Sequence, residues 1–173
     1  MSFEELFRKT DLEKVKQNVA LGNFYLIAAG KIGDYNLMCG STPGFNVFLH
    51  KNCFSLFIAE NRYTLEYIKK HKSYTVGFFD TSDLGAIKAM GFASGRESNK
   101  VKEFAFEMLS TPNGSVACKN AKLVLDLKLV ALTQLAAENI VDEQDAAKFA
   151  EKKGFYAYNN LAIGEIVSAY EKI

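Results

Sequence analysis

The sequence predicts a mostly antiparallel β barrel with helical additions, and three observations support this prediction. Apolar segments of strand length outnumber the segments with helical periodicity. Strands and helices do not alternate regularly along the chain, which disfavours a doubly wound parallel sheet. The clearest strand, residues 122–132, alternates leucines with Lys122, Asp126 and Lys128, as expected of a strand with one buried face.

The length of 173 residues suits a single domain with a sizeable core, spanning residues 1–173. Two capping boxes, Ser2 with Glu5 and Thr10 with Glu13, each predict a short helix. We therefore expect residues 1–22 to form an N-terminal helical extension. A hydrophobic content of 49% with 24% charged residues is typical of a globular protein and argues against disorder.

The remaining elements are read from apolar runs, periodicity and capping residues. Strands are predicted at residues 24–29, 36–41, 45–49, 54–59, 74–79, 122–132 and 161–169. Helices are predicted after an N-cap at Thr64, between Ser82 or Asp83 and Gly91, through Val101–Met108, and from Asp142 to Gly154.

Charge and cysteine content exclude several classes of function. The 21 basic and 20 acidic residues leave a net charge of +1, so no broad nucleic-acid surface is expected. The N-terminus lacks the features of a signal peptide, and the apolar run 24–29 is too short to cross a membrane. Three cysteines without a Cys-x-x-Cys pair favour reduced thiols and a cytoplasmic location.

Common catalytic motifs are absent from the sequence. It contains no Gly-x-Gly-x-x-Gly fingerprint, no Walker-type loop and no hydrolase nucleophile elbow. The two histidines, His50 and His71, have no metal-ligand spacing to a partner, so no metal site is expected. Cys53 begins an apolar strand, which favours packing over a nucleophile paired with His50.

Three short stretches carry the remaining chemical signal: residues 36–41, 61–64 and 94–100. The second and third each place an arginine and a hydroxyl beside a predicted helix start. Helix N-termini offer unpaired N–H groups, and arginine binds phosphate through two hydrogen bonds. Together they could hold one phosphate monoester. The alternative is that Thr64 and Ser98 are helix caps, with Arg62 and Arg96 as surface charges.

Read in order, these stretches resemble the flavin reductase-like, FMN-binding split-barrel family. That family shows Asn-x-Met-Thr-x-Ser after its first hairpin, Arg-Tyr-Thr before one helix and Ser-Gly-Arg-x-x-x-Lys before another. The matching residues here are Asn36, Met38 and Ser41, then Arg62, Tyr63 and Thr64, then Ser94, Gly95, Arg96 and Lys100. Residues 163–166 also resemble the family's closing strand, so the similarity spans about residues 23–170.

The resemblance implies a six-stranded Greek-key barrel that forms a homodimer and binds FMN near the subunit interface. It implies that the isoalloxazine ring lies, largely through backbone contacts, along Asn36, Met38, Cys39, Gly40 and Ser41. It also implies a phosphate site made by Arg62, Thr64, Ser94, Gly95, Arg96 and Lys100. The flavin would supply the redox chemistry, so no catalytic side chain is expected.

The implied function is an FMN flavoprotein, either an NAD(P)H-dependent flavin oxidoreductase or a flavoredoxin-like carrier with a small-molecule or protein electron acceptor. The chain departs from the family pattern at Cys39, Gly40, Thr42, Ala59 and Asn159, which alters the ring pocket more than the phosphate site. The alternative is therefore a non-catalytic ligand-binding or structural dimer with an altered flavin pocket. A haem-binding relative is less favoured, because neither histidine has a suggestive context.

Overall fold

The computed structural model describes residues 1–18, 24–41, 44–97, 99–152 and 159–173. The strands among these residues are β1 (Phe7–Lys9), β2 (Tyr25–Lys31), β3 (Asp34–Gly40), β4 (Gly44–Phe48), β5 (Lys51–Ile58), β6 (Ser73–Phe78), β7 (Met108–Ser110), β8 (Val116–Cys118), β9 (Leu123–Gln134) and β10 (Asn160–Lys172). The helices are α1 (Leu12–Asn18), α2 (Tyr63–His71), α3 (Leu84–Met90), α4 (Lys100–Glu103) and α5 (Glu143–Glu151), with a 3-10 turn at Ala137–Asn139.

The main sheet is antiparallel and runs in the order β3-β2-β6-β9-β10-β5-β4, with β1 added beside β10. Strands β3 and β4 form its two edges, so the barrel does not close. A separate hairpin joins β7 to β8. The predicted mostly β split barrel with peripheral helices is confirmed, with eight strands in the main sheet rather than six.

The side chains of β2 alternate between two apolar clusters, which explains why residues 24–29 read as one continuous apolar run. Tyr25 and Ile27 face the barrel interior, where α2 contributes Leu65 and Ile68. Leu26 packs on the opposite face with residues from β3 and α3 (Leu37, Ile87 and Met90). The pair β2–β3 is therefore covered by α2 on one face and α3 on the other, and this arrangement positions the site described below.

The helix predicted after Ser2 is wrong. The capping-box hydrogen bond from the Ser2 amide to the Glu5 carboxylate is present at 2.6 Å, but a turn and then β1 follow it. Burial of Phe3 and Phe7 against Tyr170 determines this outcome, because it brings β1 beside β10. The predicted helical extension thus contains a strand of the sheet as well as α1.

The second predicted helix of this segment, α1, begins at Leu12. Its first turn is capped by Asp11, whose carboxylate accepts a hydrogen bond from the Glu13 amide at 2.7 Å. Thr10, the expected cap, instead donates its backbone N–H to the Ala169 carbonyl at 3.0 Å. The helix is therefore confirmed, but with a different capping residue.

The helix predicted over residues 101–108 ends at Glu103. Ala105 has a φ of +52°, which a continuing helix does not allow, and Met108 already belongs to β7. The periodic apolar residues do not form one helix face, because Phe106 packs beyond the end of the helix, in the apolar cluster that contains α3. Asn99, rather than Ser98, caps α4 by accepting from the Lys102 amide at 3.3 Å, and Ser98 itself lies outside the described residues.

The C-terminal elements follow the prediction. The carboxylate of Asp142 caps α5 by accepting from the Asp145 amide at 2.9 Å, while Gly154, its predicted end, lies outside the described residues. Strands β9 and β10 begin within one residue of the two longest predicted strands and extend beyond their predicted ends. None of the helices described here has the length and apolar character needed to cross a membrane.

Candidate functional site

The three stretches singled out in the sequence meet beside strand β3. Among the described strands, β3 pairs with β2 alone, so its outer edge faces away from the sheet. The start of α2, residues 91–97 and Lys100 lie against this edge. Residues 36, 62, 64, 94, 95 and 100 come together around one small space, which we call the phosphate cluster after the group that the sequence predicts for it.

Asn36 ties the three stretches together. Its side-chain amide donates a hydrogen bond to the Thr64 hydroxyl at 2.7 Å, and both residues are buried. A Cβ atom at Gly95 would overlap the Asn36 side-chain oxygen, so this approach requires glycine. Thr64 is not the N-cap of α2, contrary to the prediction. Arg62 occupies that position without a capping side-chain hydrogen bond. The Thr64 hydroxyl instead accepts the hydrogen bond from Asn36 within the cluster.

Lys100 is a buried cation of the cluster, with 6% of its surface exposed. Its amine donates to the Leu37 carbonyl on the outer side of β3 at 2.9 Å. Burial, reinforced by the Arg62 charge, lowers the pKa of Lys100 to about 8. The amine is therefore close to losing its proton just above neutral pH.

Arg62 is also buried, and its guanidinium donates to the Gly91 carbonyl at 2.6 Å. Gly91 in turn lies against Cys39, because a Cβ at Gly91 would come 3.1 Å from the Cys39 Cβ. Arg62 thus links the phosphate cluster to the predicted ring-binding strand. Sequence reasoning did not identify Gly91, which was read only as a helix end.

Arg96 is the exposed cation of the site. Its guanidinium forms an ion pair with the Glu66 carboxylate, donates to the Asn61 carbonyl at 3.1 Å and lies 4.6 Å from the centre of the Tyr63 ring. The Ser94 hydroxyl accepts from the Arg96 amide at 3.3 Å. Glu66 was not predicted as a site residue, since a glutamate in the first turn of a helix is common without any ligand.

The predicted ring-binding residues occupy the C-terminal half of β3. Met38 points its side chain into the barrel core, and its backbone pairs with Ile27 of β2. A Cβ at Gly40 would overlap the Tyr25 ring, which explains glycine there. The Cys39 thiol is half-buried, and burial raises its pKa to about 11. Ser41 is half-buried at the end of the described strand, and Thr42 lies outside the described residues.

Two other departures from the family pattern lie near the start of α2. Asn159 accepts a hydrogen bond from the Glu60 amide at 3.1 Å, so it borders the loop that leads to Arg62. Ala59, at the end of β5, is fully buried. A small side chain therefore fills the position where an arginine would need space.

The open space at the site has two parts. The phosphate cluster itself encloses about 10 Å³, because its donors bind one another and nearby carbonyls. Beside it lies a cavity of about 650 Å³, which shares Asn36, Gly95 and Lys100 with the cluster. Within the described ranges, no group of three histidine, cysteine or acidic residues is placed to hold a metal ion.

No protein-family model and no curated protein matches the sequence. Solved structures do resemble it. An FMN-binding domain of a flavin reductases-like enzyme from Shewanella baltica superposes with a TM-score of 0.70 at 15% identity, covering 95% of this chain and 76% of that one. Flavoredoxin from Methanosarcina acetivorans gives 0.65 at 20% identity, with coverages of 95% and 74%.

An FMN-binding protein from Thermus thermophilus is similar to the same extent. It superposes with a TM-score of 0.65 at 15% identity, and the match covers 87% of this chain and 70% of that one. A flavin reductase-type protein with a split-barrel domain from Shewanella frigidimarina gives 0.67 at 16% identity. The chain therefore has the split-barrel fold of the FMN-binding, flavin reductase-like proteins.

Proposed function

We propose that this chain binds FMN at the edge of β3 and acts as a flavin-dependent oxidoreductase or electron carrier. One observation supports this most directly: residues from three distant stretches converge on one cluster of phosphate-type donors, namely 36, 62–64 and 94–95 with Lys100. The four solved structures with this fold described above are FMN-binding or flavin-related proteins. The fold similarity and the donor cluster are independent observations.

The side-chain donors at the site are of the chemical types that bind a phosphate monoester. Two guanidinium groups, one amine and two hydroxyls are the groups that bind phosphate in proteins. At present Arg96 is held by Glu66, and a space of about 10 Å³ admits roughly one water molecule. Arg96 is the exposed member, so it is the side chain that would turn from Glu66 to admit and hold the phosphate.

The edge of β3 offers backbone groups to the flavin ring. The Leu37 carbonyl points outward to Lys100, and residues two apart on a strand present their backbone groups in the same direction. Cys39 therefore also presents its N–H and carbonyl outward. When bound, FMN would supply hydride or single-electron transfer, and the chain's part is to orient it and exclude water.

The visible absorption spectrum of the purified protein is the first test. Flavin bands with near-stoichiometric FMN released on denaturation would support the proposal. Anaerobic mixing with NADH or NADPH then separates the two roles. Bleaching of the flavin bands is expected for a nicotinamide-dependent oxidoreductase, whereas a carrier is reduced by a protein or another donor.

Arg96→Ala tests the phosphate site directly. We expect it to weaken FMN binding by about 1–3 kcal/mol, because the charged phosphate loses a hydrogen-bonding partner. Riboflavin, which lacks the phosphate, should bind both proteins equally. Arg8→Ala is the matched control, since Arg8 pairs with Glu171 beside β10 and is remote from the site. An unchanged FMN affinity in Arg96→Ala would rule out the phosphate role of Arg96.

A second candidate is a split-barrel dimer without flavin chemistry. The observation that favours it is that the donors are already engaged. Arg62 and Lys100 of the phosphate cluster bind the Gly91 and Leu37 carbonyls, and the neighbouring Arg96 binds Glu66. Protein that is colourless when purified and takes up no added FMN would support this candidate and reject the first.

We also propose that the chain forms a homodimer. Exposed apolar side chains cluster at the tip of the β4–β5 hairpin, namely Val47, Phe48 and Leu49. Such a patch beside an edge strand is typical of an interface. Light scattering should give a dimer for the wild type and a shift to monomer for Val47→Asp. Val141→Asp is the control, because Val141 is exposed outside this patch. A monomeric wild type would refute the proposal.

A further inference from the structure

Three positive charges surround Cys39, which lies in the segment of β3 where the flavin ring is expected. Burial raises the pKa of the Cys39 thiol to about 11, and the charges of Arg62, Lys100 and Lys88 oppose this rise. Arg62 and Lys100 belong to the phosphate cluster, where each donates to a backbone carbonyl. Lys88 belongs neither to the cluster nor to the predicted ring-binding residues, so its role is open.

Lys88 lies in the last turn of α3, and this end of the helix packs against β3. Ile87 and Met90, on either side of it in the helix, are buried in the apolar cluster against which Cys39 packs. A Cβ atom at Gly91 would come 3.0 Å from the Lys88 carbonyl and 3.1 Å from the Cys39 Cβ. The backbone of Lys88 is therefore fixed beside the strand predicted to bind the ring.

The amine of Lys88 is held at the C-terminal end of β3. It lies over the Phe24 ring, 5.6 Å from the ring centre. The pairing of β2 with β3 places Phe24 beside Ser41, the last of the predicted ring-binding residues. Asn36, which anchors the phosphate cluster, is roughly 17 Å from Ser41 at the usual strand rise. Lys88 thus marks the end of the ring segment that is remote from the phosphate.

The charge of Lys88 is not neutralised by a neighbouring carboxylate. Other exposed lysines, such as Lys70 and Lys122, form ion pairs with acidic side chains. Within the part of the chain that the structure describes, Lys88 forms none. An exposed lysine in the last turn of a helix is ordinary, because it complements the helix dipole. Its position over Phe24, beside the ring segment, is what gives this charge a possible target.

Reduction of FMN by two electrons, with uptake of one proton, leaves the ring system with one negative charge near neutral pH, whereas the oxidised ring is neutral. A nearby cation therefore attracts the reduced ring more strongly than the oxidised ring. We infer that Lys88 stabilises the reduced state of bound FMN relative to the oxidised state and so raises its reduction potential. This inference rests on the proposed function, because it takes the flavin ring to lie along residues 38–41.

The test is an anaerobic equilibration of FMN-loaded protein with a redox dye of known potential, for the wild type, Lys88→Gln and Lys88→Arg. At a fixed dye potential, Lys88→Gln should lower the ratio of reduced to oxidised FMN about fivefold, because one exposed charge is removed from beside the ring. Lys88→Arg keeps the charge and should match the wild type. Lys9→Gln is the control, since it removes an exposed charge from β1, beside β10.

Two further measurements separate an effect of charge from a structural one. In 1 M salt, where the screening length is about 3 Å, the difference between the wild type and Lys88→Gln should largely disappear. A difference that salt does not reduce would overturn the inference. The affinity for oxidised FMN should be the same in both proteins, and a loss as large as that for reduced FMN would mean that Lys88 supports binding instead.

The remaining outcomes distinguish this inference from the proposed function. If FMN binds the wild type and Lys88→Gln leaves the ratio of reduced to oxidised FMN unchanged, the inference fails and the proposed function stands. If FMN does not bind the wild type, both fail.

Discussion

At the scale of single residues, Lys100 determines how the charge of the site depends on pH. Its folded pKa of about 8 lies below the ordinary value of 10.5, first because of burial and second because of Arg62. Cys39 and Glu103 act in the opposite direction but more weakly. Since the unfolded chain holds this proton more tightly, Lys100 reduces stability below pH 8. That penalty is relieved as the pH rises from about 8 to 10.5.

The same shift predicts the pH dependence of FMN binding. A phosphate dianion beside Lys100 favours the charged amine, so binding above pH 8 requires uptake of a proton. We expect the dissociation constant to rise between pH 7.5 and 10, by up to about tenfold per pH unit. Lys100→Arg should flatten this profile, because a guanidinium stays charged throughout this range. Equal pH profiles in both proteins would show that another group controls binding.

The candidate site could be predicted in part because its residues fall in short, recognisable stretches. Asn36, Thr64, Gly95 and Lys100 were predicted and lie together in the structure. The Arg96–Glu66 ion pair could not be predicted, because its two residues are 30 positions apart and each is ordinary in its local sequence. Long-range partners of this kind depend on how α2 packs, which local patterns do not specify.

At the scale of elements, the β4–β5 hairpin carries an unusual turn. Phe48 pairs with Lys51, so Leu49 and His50 form a two-residue loop. Both have positive φ, 51° and 59°, in the left-handed region that favours glycine and asparagine. Branched or bulky side chains there are strained by roughly 1–2 kcal/mol each. Leu49 also belongs to the exposed apolar patch proposed as the dimer interface.

Relief of this strain should stabilise the fold. We expect His50→Gly to raise the free energy of unfolding. Relief of the backbone strain contributes about 1 kcal/mol, and the greater entropy of glycine in the unfolded chain offsets part of this gain. Urea unfolding at one fixed protein concentration would measure it. His50→Ala is the control, since alanine has the same backbone restriction and should give no gain. A loss of stability in His50→Gly would mean that the His50 side chain stabilises the fold by more than its positive φ destabilises it.

The accuracy of prediction differed between elements for physical reasons. Strands β9 and β10 were recognised because their alternation or apolar content extends over many residues. The helix predicted at 101–108 extended five residues too far, because Phe106 and Met108 pack through a turn and a strand rather than on one helix face. Strands β1, β7 and β8 were missed, since three residues are too few to show a period.

At the scale of the whole molecule, β10 is the strand that connects the two parts of the split barrel. This strand of 13 residues pairs with β9, β5 and β1, and its register with β9 shifts between Ile163 and Gly164. Gly164 lies at this register shift, directly against Tyr74. The Tyr74 ring is fully buried, and a Cβ at Gly164 would overlap its hydroxyl. Glycine is therefore needed here for close packing across the sheet.

This packing predicts opposite effects for two glycine-to-alanine changes. Gly164→Ala should lower the free energy of unfolding by about 1–3 kcal/mol, because the added methyl group displaces Tyr74 and meets the Leu127 side chain. Gly85→Ala lies in α3 with open space around its Cβ and should raise the free energy of unfolding by about 0.5–1 kcal/mol. Chemical denaturation of the three proteins would compare them. Equal stability of Gly164→Ala and the wild type would mean that β10 can shift away from Tyr74, so that this packing does not depend on a glycine.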